Sequence, residues 1–187
     1  VACNLSGPRR IKSGALRDHI LMVSAVSGRG EIFKAGARVV KNVTGYDLPK
    51  LMAGSHGTLA ALTSVTLKVL PKPEVETTLL VADRSPEEAV RTMSLALQSS
   101  LEVSSAAHAP KSGTHLRVEG IKASVDFRAG KLRELFSSAA IAERSPWASI
   151  RDVKDLQGDL MWRVSLPPTA APAFLRALQR SFDFDYL

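Results

Sequence analysis

Alternating apolar and polar positions predict a β-strand over residues 59–70, with valine and leucine on one face and threonine and lysine on the other. Upstream, an apolar run over residues 20–35 is interrupted by a glycine-containing turn at residues 27–30, which predicts a β-hairpin. Between the hairpin and the strand, aspartate and proline predict one or two helical turns over residues 47–53, and Gly54 ends them. The first seventy residues are therefore predicted to form strands joined by glycine-containing turns.

Two prolines within residues 71–74 interrupt this pattern, because proline can continue neither a helix nor a central strand. We place a domain boundary there, between residues 1–73 and residues 74–187. The second domain is predicted to contain a strand over 75–82, a helix opened by the capping box of Ser85 and Glu88, strands near 101–108 and over 114–120, a helix within 122–138, a strand over 160–166, a helix at about 169–181 and a strand over 182–187. This order predicts an α+β fold with helices on one face of an antiparallel, ferredoxin-like sheet, which we expect to be incomplete at its C-terminal end.

The composition is that of a globular protein with excess positive charge. Of 187 residues, 45% are hydrophobic, and 25 Lys and Arg against 18 Asp and Glu leave a net charge of +7. This charge favours an anionic partner, with phosphate as the first candidate. Nucleic acid is disfavoured, because the short basic cluster is Arg9, Arg10 and Lys12 and only 5% of residues are aromatic. A single cysteine, no apolar run of membrane-spanning length and no signal peptide predict a cytoplasmic protein without a transmembrane segment.

The common motifs of catalytic and metal sites are absent from the sequence. The segment at residues 28–33 has phenylalanine where a Rossmann motif needs its third glycine, and neither a P-loop nor a Gly-x-Ser-x-Gly motif occurs. The four histidines are far apart in sequence, so we predict no metal site. His108 and His115 lie in a weakly patterned segment, and Arg117 and Arg163 are expected to face outward from strands. We assign no catalytic residue.

Small residues cluster in two places, at "VACNLSGPRRIKSG" (1–14) and at "GSHGT" (54–58). Loops of this kind expose main-chain N–H groups, which can hold a phosphate. Glycine also serves ordinary tight turns between strands, and spacing alone leaves both interpretations open.

Residues 1–73 resemble the second half of the FAD-binding domain of the vanillyl-alcohol-oxidase/PCMH flavoprotein superfamily, which includes D-lactate and D-2-hydroxyglutarate dehydrogenases. The stretches that carry the resemblance are "VACNLSG" (1–7), "GALRDHILMVSAVSGRGEI" (14–32) and "VVKNVTGYDLPKLMAGSHGTLAALTSVTLKVLPKP" (39–73). Within the superfamily, "LSGPRR", "VVKNVTGYDL" and "LMWRVSLPP" are most similar to the E subunits of glycolate oxidases, which extends the resemblance into residues 75–187.

The resemblance implies an FAD site whose pyrophosphate and flavin ring are held by main-chain groups of the two small-residue segments. By their positions in this sequence, the residues implied to line the cofactor are Ala2, Asn4, Ser6, Gly7, Gly14, His56, Gly57, Thr58, Leu59 and Leu62. Two positions depart from the family pattern. His56 stands where the dehydrogenases carry an acidic residue, and Ala60 replaces a glycine.

The resemblance also implies a function: the FAD-binding subunit of a complex that oxidises a small 2-hydroxy acid such as glycolate. Such a complex would contain a second flavoprotein subunit and an iron–sulfur subunit, and would be cytoplasmic, with any contact to the inner membrane made through the complex. The family's first phosphate-binding loop lies upstream of this sequence, so we expect a piece of a longer polypeptide that by itself binds FAD weakly or not at all. The alternative is a non-catalytic assembly subunit that has lost FAD.

Overall fold

The computed structural model describes residues 1–40, 45–82, 85–156 and 158–187. The chain divides into two compact units, Val1–Lys72 (unit 1) and Pro73–Leu187 (unit 2). The elements of unit 1 are α1 (Arg10–Ser13), α2 (Leu16–His19), β1 (Ile20–Ser27), β2 (Ile32–Gly36), α3 (Leu48–Met52) and β3 (Ala60–Leu67).

Unit 1 is a three-stranded antiparallel sheet in the order β2-β1-β3. The hairpin predicted over residues 20–35 forms, and its central strand pairs Val23 with Ala35 on one side and Val65 on the other. The small core of this unit is made of Ile20, Val23, Ala25, Met52 and Ala60. Helix α3 begins as the sequence predicts, because the Asp47 side chain accepts a hydrogen bond from the Lys50 N–H at 3.2 Å.

Unit 2 contains β4 (Val75–Val81), α4 (Pro86–Gln98), β5 (Ser105–Ala109), β6 (Gly113–Gly120), α5 (Lys122–Leu135), β7 (Ala140–Ile141), α6 (Trp147–Asp152), a 3-10 turn (Pro168–Ala170) and α7 (Ala171–Gln179). Its four-stranded sheet has the order β5-β6-β4-β7, and every pair of neighbouring strands is antiparallel. The sequence β-α-β-β-α-β with this strand order is the ferredoxin-like arrangement. The predicted α+β class with an antiparallel sheet is confirmed.

One face of the unit 2 sheet carries the core. Leu79, Leu116 and Val118 point from the strands into a cluster that Val125 and Leu132 of α5 complete. Helix α4 opens with the predicted capping box, in which Ser85 Oγ accepts from the Glu88 N–H and the Glu88 carboxylate accepts from the Ser85 N–H.

Two predicted strands are wrong. Residues 160–166 and 182–187 form no strand, although both have period-2 patterns. Leu160 and Trp162 are 81% and 83% exposed, because an alternating pattern makes a strand only where a neighbouring strand supplies hydrogen bonds and an apolar face to cover. Helix α6 is the opposite case, since the sequence analysis did not predict it.

Candidate functional site

The N-terminal loop of unit 1 is shaped by two polar side chains. Asn4 has a positive φ of 48°, and its Oδ1 accepts a hydrogen bond from the Arg17 N–H at 3.0 Å. Ser6 Oγ accepts from the Leu16 N–H at 2.9 Å. Both side chains therefore satisfy N–H groups at the start of α2, and the loop is held in one conformation by its own residues.

Gly14 has a structural role that needs no ligand. Its φ is +86°, and a Cβ atom there would lie 3.0 Å from Asp18 Oδ2. That carboxylate accepts a hydrogen bond from the Ala15 N–H at 2.8 Å and caps α2. Glycine at position 14 is therefore required by the Asp18 cap as well as by the left-handed backbone.

The second small-residue loop follows α3 and is also tightly turned. His56 and Gly57 have φ values of 53° and 80°. Thr58 donates to the Ser55 carbonyl through both its N–H, at 3.0 Å, and its hydroxyl, at 2.6 Å. These bonds hold the backbone at residues 54–58 in a compact turn that faces solvent at His56, Gly57 and Thr58.

The two loops lie next to each other. The His56 N–H donates to the Ala2 carbonyl at 2.9 Å, and a Cβ atom on Gly54 would be 3.7 Å from the Cβ of Asn4. Within the described part of unit 1, the N–H groups of Gly7 and Gly57 have no hydrogen-bond partner. The structure thus brings together two segments that are distant in sequence and leaves main-chain donors available on them, which is the property an anion site needs.

The remaining predicted residues divide between the loop surface and the core. Leu59 is half exposed beside the second loop, whereas Leu62 is partly buried and packs on the unit 1 core. The methyl group of Ala60 is buried in that core. Alanine at this position therefore does not obstruct the exposed side of the loop.

The two units differ in charge. Unit 1 has 11 Lys and Arg against 3 Asp and Glu, whereas unit 2 has 14 against 15, so the net charges are +8 and −1. The excess positive charge of the whole chain is thus on the unit that carries the two loops, and it favours an anionic ligand there. Among the described residues, no group of three or more His, Cys, Asp and Glu could hold a metal ion.

Sequence analysis missed a buried polar cluster on unit 2. Arg117 is 3% exposed, so the prediction that it faces outward is wrong, whereas Arg163 is exposed as expected. The Arg117 guanidinium lies 3.6 Å from Glu76 and 3.5 Å from Glu119, donates to the hydroxyls of Ser104 and Ser105, and stacks over the ring of Trp147 at 4.8 Å.

His115 lies on the same sheet face as Arg117, because the two are separated by one residue in β6. Its Nε2 is 2.9 Å from Ser112 Oγ, and its Nδ1 is buried without a partner. Burial, and to a smaller extent the charge of His108, lower the pKa of His115 below its ordinary value. The sequence signal that could have revealed this cluster is the alternation in β6, where His115, Arg117 and Glu119 alternate with the core residues Leu116 and Val118.

Comparison with known proteins identifies relatives of the chain. No protein-family profile matches it. It is 36% identical over 174 residues to glycolate oxidase subunit GlcE of Escherichia coli (strain K12). This alignment covers 91% of the chain and 47% of the relative. The predicted resemblance is confirmed. The chain therefore spans about half the length of this relative.

Two further relatives each match about half of the chain. The chain is 38% identical over 91 residues to glycolate oxidase subunit GlcD of Bacillus subtilis (strain 168) and 41% identical over 93 residues to D-lactate dehydrogenase of Anaerostipes hadrus. These alignments cover 49% and 50% of the chain but only 19% and 20% of the relatives.

Solved structures support the fold. Two structures of alkyldihydroxyacetonephosphate synthase align with a TM-score of 0.59 at 18% identity. Each alignment covers 82% of this chain, and they cover 35% and 37% of the two synthase chains. At this identity the likeness concerns the fold alone. In the described part of the chain, no helix has the length and apolar character needed to cross a membrane.

Proposed function

We propose that this chain contributes the second half of an FAD-binding domain, residues 1–73, and a cap or subunit-contact domain, residues 74–187, to the FAD-binding subunit of a 2-hydroxy-acid oxidase complex. One observation carries the proposal. The two small-residue loops are adjacent and joined by the hydrogen bond from the His56 N–H to the Ala2 carbonyl, in a chain similar to glycolate oxidase subunit GlcE over 91% of its length.

Positive charge and main-chain donors support a site for the FAD pyrophosphate at the two loops. Main-chain N–H groups are available at Gly7 and Gly57, and the absence of side chains there lets a phosphate approach the backbone. The residues proposed to line the cofactor are Ala2, Asn4, Ser6, Gly7, Gly14, His56, Gly57, Thr58, Leu59 and Leu62. Among them, Asn4, Ser6 and Gly14 act by holding the loop in shape.

The chemistry would come from the cofactor and the partners. When bound, FAD supplies the hydride acceptor for a small 2-hydroxy acid, glycolate being the proposed substrate, and the electron relay to a second flavoprotein subunit and an iron–sulfur subunit. We propose a cytoplasmic location, with any association with the inner membrane made through the complex. No residue of the chain is proposed as catalytic.

The test compares two glycines in the full-length polypeptide. Gly57 and Gly30 have nearly equal φ values, +80° and +81°, and a Cβ atom at either meets nothing within 4 Å. Gly57→Ala and Gly30→Ala therefore add the same backbone strain, but only Gly57 lies in the proposed site. We expect the purified Gly57→Ala variant to show little of the bound-flavin absorbance at about 450 nm, and the Gly30→Ala variant to show the absorbance of the parent protein.

Equal flavin content in the two variants would contradict the proposed site, and a flavin-free full-length parent protein would contradict the proposed function. The 187-residue chain alone is expected to bind FAD weakly or not at all, which titration of FAD fluorescence measures.

A non-catalytic assembly subunit is the second candidate. It is favoured by His56, an exposed residue with a positive φ at the position where the resemblance implies an acidic residue. A flavin-free full-length protein that still copurifies with a second flavoprotein subunit would support this candidate instead.

A further inference from the structure

One segment of unit 2, residues 142–156, lies across the polar face of the sheet and is here called the strap. Two of its side chains, Trp147 and Ile150, are buried. The Trp147 indole N–H donates to Thr78 Oγ1 at 2.8 Å, and Ser145 donates to Glu76 at 3.1 Å. Helix α6 within the strap has only six residues and ends at Val153, whose φ of 53° is unfavourable for a β-branched residue.

A short helix held by so few buried side chains can separate from the sheet at a lower free-energy cost than global unfolding. The groups that the strap covers therefore decide under which conditions it stays closed.

His115 is one of the side chains that the strap covers, beside Arg117 and Thr78. Its ring meets the ring of Trp147 edge to face, with centroids 6.5 Å apart and an interplanar angle of 77°. Ser112 Oγ satisfies Nε2, and Nδ1 has no partner while the strap is closed. A proton added to the closed state would thus create a buried cation with an unsatisfied N–H group.

Neither residue that pairs with His115 on the neighbouring strands is a carboxylate, so no negative charge lies directly opposite a protonated His115. Leu80 of β4 and Ala107 of β5 stand opposite His115, whereas Glu76 pairs with Glu119, four residues farther along β6 and so about 13 Å away along the strand. The charged and titratable groups on the packed strands are His108 on β5, Glu76 on β4, and Arg117 and Glu119 on β6. Those on the strap are Glu143, Arg144, Arg151, Asp152, Lys154 and Asp155.

Arg117 is nearest along the strand, but Glu76 and Glu119 balance its charge. The group whose charge opposes a proton on His115 is His108.

We propose that the strap is a proton-sensitive cover that opens when His115 is protonated and exposes the Arg117 face of the sheet. In the open state Nδ1–H donates to water, whereas in the closed state it has no acceptor. Proton binding is thus tighter in the open state, and by linkage the proton favours opening. Every unit by which the two His115 pKa values differ changes the ratio of open to closed protein by a factor of about ten.

Tryptophan fluorescence tests this proposal directly. The chain has two tryptophans, and Trp162 is exposed while Trp147 is buried, so the Trp162→Phe variant leaves Trp147 as the sole reporter. Between pH 7.5 and about pH 5, a range set by the ordinary histidine pKa, we expect its emission to shift to the red and its quenching by acrylamide to rise several-fold. The far-UV circular dichroism should stay constant.

Two histidine variants in the same background locate the proton. His115→Gln keeps an amide nitrogen near Ser112 but cannot be protonated, so the transition should disappear. His108→Gln is the matched control, and its transition should remain and move to slightly higher pH, because a nearby positive charge has been removed.

A Trp147 signal that does not change with pH, or a transition that survives in His115→Gln, would overturn the proposal. So would a parallel loss of circular dichroism, which indicates global unfolding. If His115→Gln does not fold, the His115 imidazole is titrated by NMR in the parent protein. The proposal requires the NMR midpoint to coincide with the midpoint of the Trp147 fluorescence transition, and different midpoints would overturn it.

Discussion

Unit 1 and unit 2 place their polar groups in opposite ways. Unit 1 has a net charge of +8, exposes the backbone of two small-residue loops and buries five core residues among those described. Unit 2 has a net charge of −1, buries an arginine and two histidines in its sheet and has ten buried core residues. The first arrangement leaves donors available for a ligand, whereas the second pairs its buried arginine internally and leaves His115 Nδ1 buried without a partner.

This difference has a thermodynamic consequence. A unit of 72 residues with a small core has little stability of its own. A ligand that binds only the folded form adds stability in proportion to the logarithm of its concentration over its Kd. We therefore expect the proposed FAD ligand to stabilise unit 1 more than unit 2.

The largest expected effect compares the two cores. Leu116→Ala in unit 2 should lower the free energy of unfolding by about 3 to 5 kcal/mol, because Leu116 is fully buried against α5. Val23→Ala in unit 1 should cost about 2 kcal/mol, since a smaller apolar group is removed. Urea denaturation measures both, by tryptophan fluorescence for unit 2, which holds Trp147 and Trp162, and by circular dichroism for unit 1.

Leu95→Ala is the control for the core comparison, because Leu95 is 45% exposed, and it should cost far less than Leu116→Ala. A larger loss from Val23→Ala than from Leu116→Ala would reverse the ranking of the two cores.

The second effect concerns the buried polar cluster of unit 2. Arg117→Met should destabilise unit 2 by about 3 kcal/mol, because Glu76 and Glu119 would lose their ion pairs with the buried guanidinium. The triple variant with Glu76→Gln and Glu119→Gln should recover part of the loss, since the two negative charges that the guanidinium balanced are then also removed. Tryptophan-detected urea denaturation measures both variants, and no recovery in the triple variant would show that packing on Trp147 dominates.

The third effect is the pH dependence of stability. Because the pKa of His115 is lowered in the folded state, the unfolded chain binds the proton more readily. Stability is therefore complete above the ordinary histidine pKa and falls as the pH drops below it, by up to about 1.4 kcal/mol per pH unit. Urea midpoints of the parent protein and of His115→Gln should converge at neutral pH and diverge in acid; parallel curves would contradict the assignment to His115.

The smallest effect compares helix caps in the two units. Asp47→Ala and Ser85→Ala each remove a side chain that accepts a hydrogen bond from the third helical residue, at 3.2 Å in both cases, and each should cost about 1 kcal/mol. The matched controls are Asp47→Asn and Ser85→Thr, which keep an acceptor. Thermal denaturation followed by circular dichroism should show smaller shifts for the controls than for the alanine variants.

Local patterns predicted the elements whose signals are local. The alternation in β3, the capping box of Ser85 and the glycine-containing turn of the β1–β2 hairpin each depend on neighbours in sequence, and each is present. The burial of Arg117 depends on Trp147, which is thirty residues away, and on strand pairing across the sheet. The unpaired segment at 160–166 shows the same limit, because a strand pattern does not specify a partner.

For the candidate site, the sequence indicated the two loops, but their adjacency follows from the bond between His56 and Ala2, which spacing does not show. The predicted roles of the individual loop residues stay predictions. The structure adds that Asn4, Ser6 and Gly14 are occupied in maintaining the loop.

The Asp18 cap has a consequence for genetic screens. A substitution at Gly14 disturbs the start of α2 whether or not a nucleotide is present, so a colourless mutant at that position reports a misfolded loop. Alanine at Gly57 adds backbone strain but meets no neighbouring atom within 4 Å, so a colourless mutant at Gly57 supports the proposed ligand contact only where Gly30→Ala, with the same strain, stays coloured. Mutational maps of related flavoproteins should therefore weigh these two glycines differently when they are used to outline a binding surface.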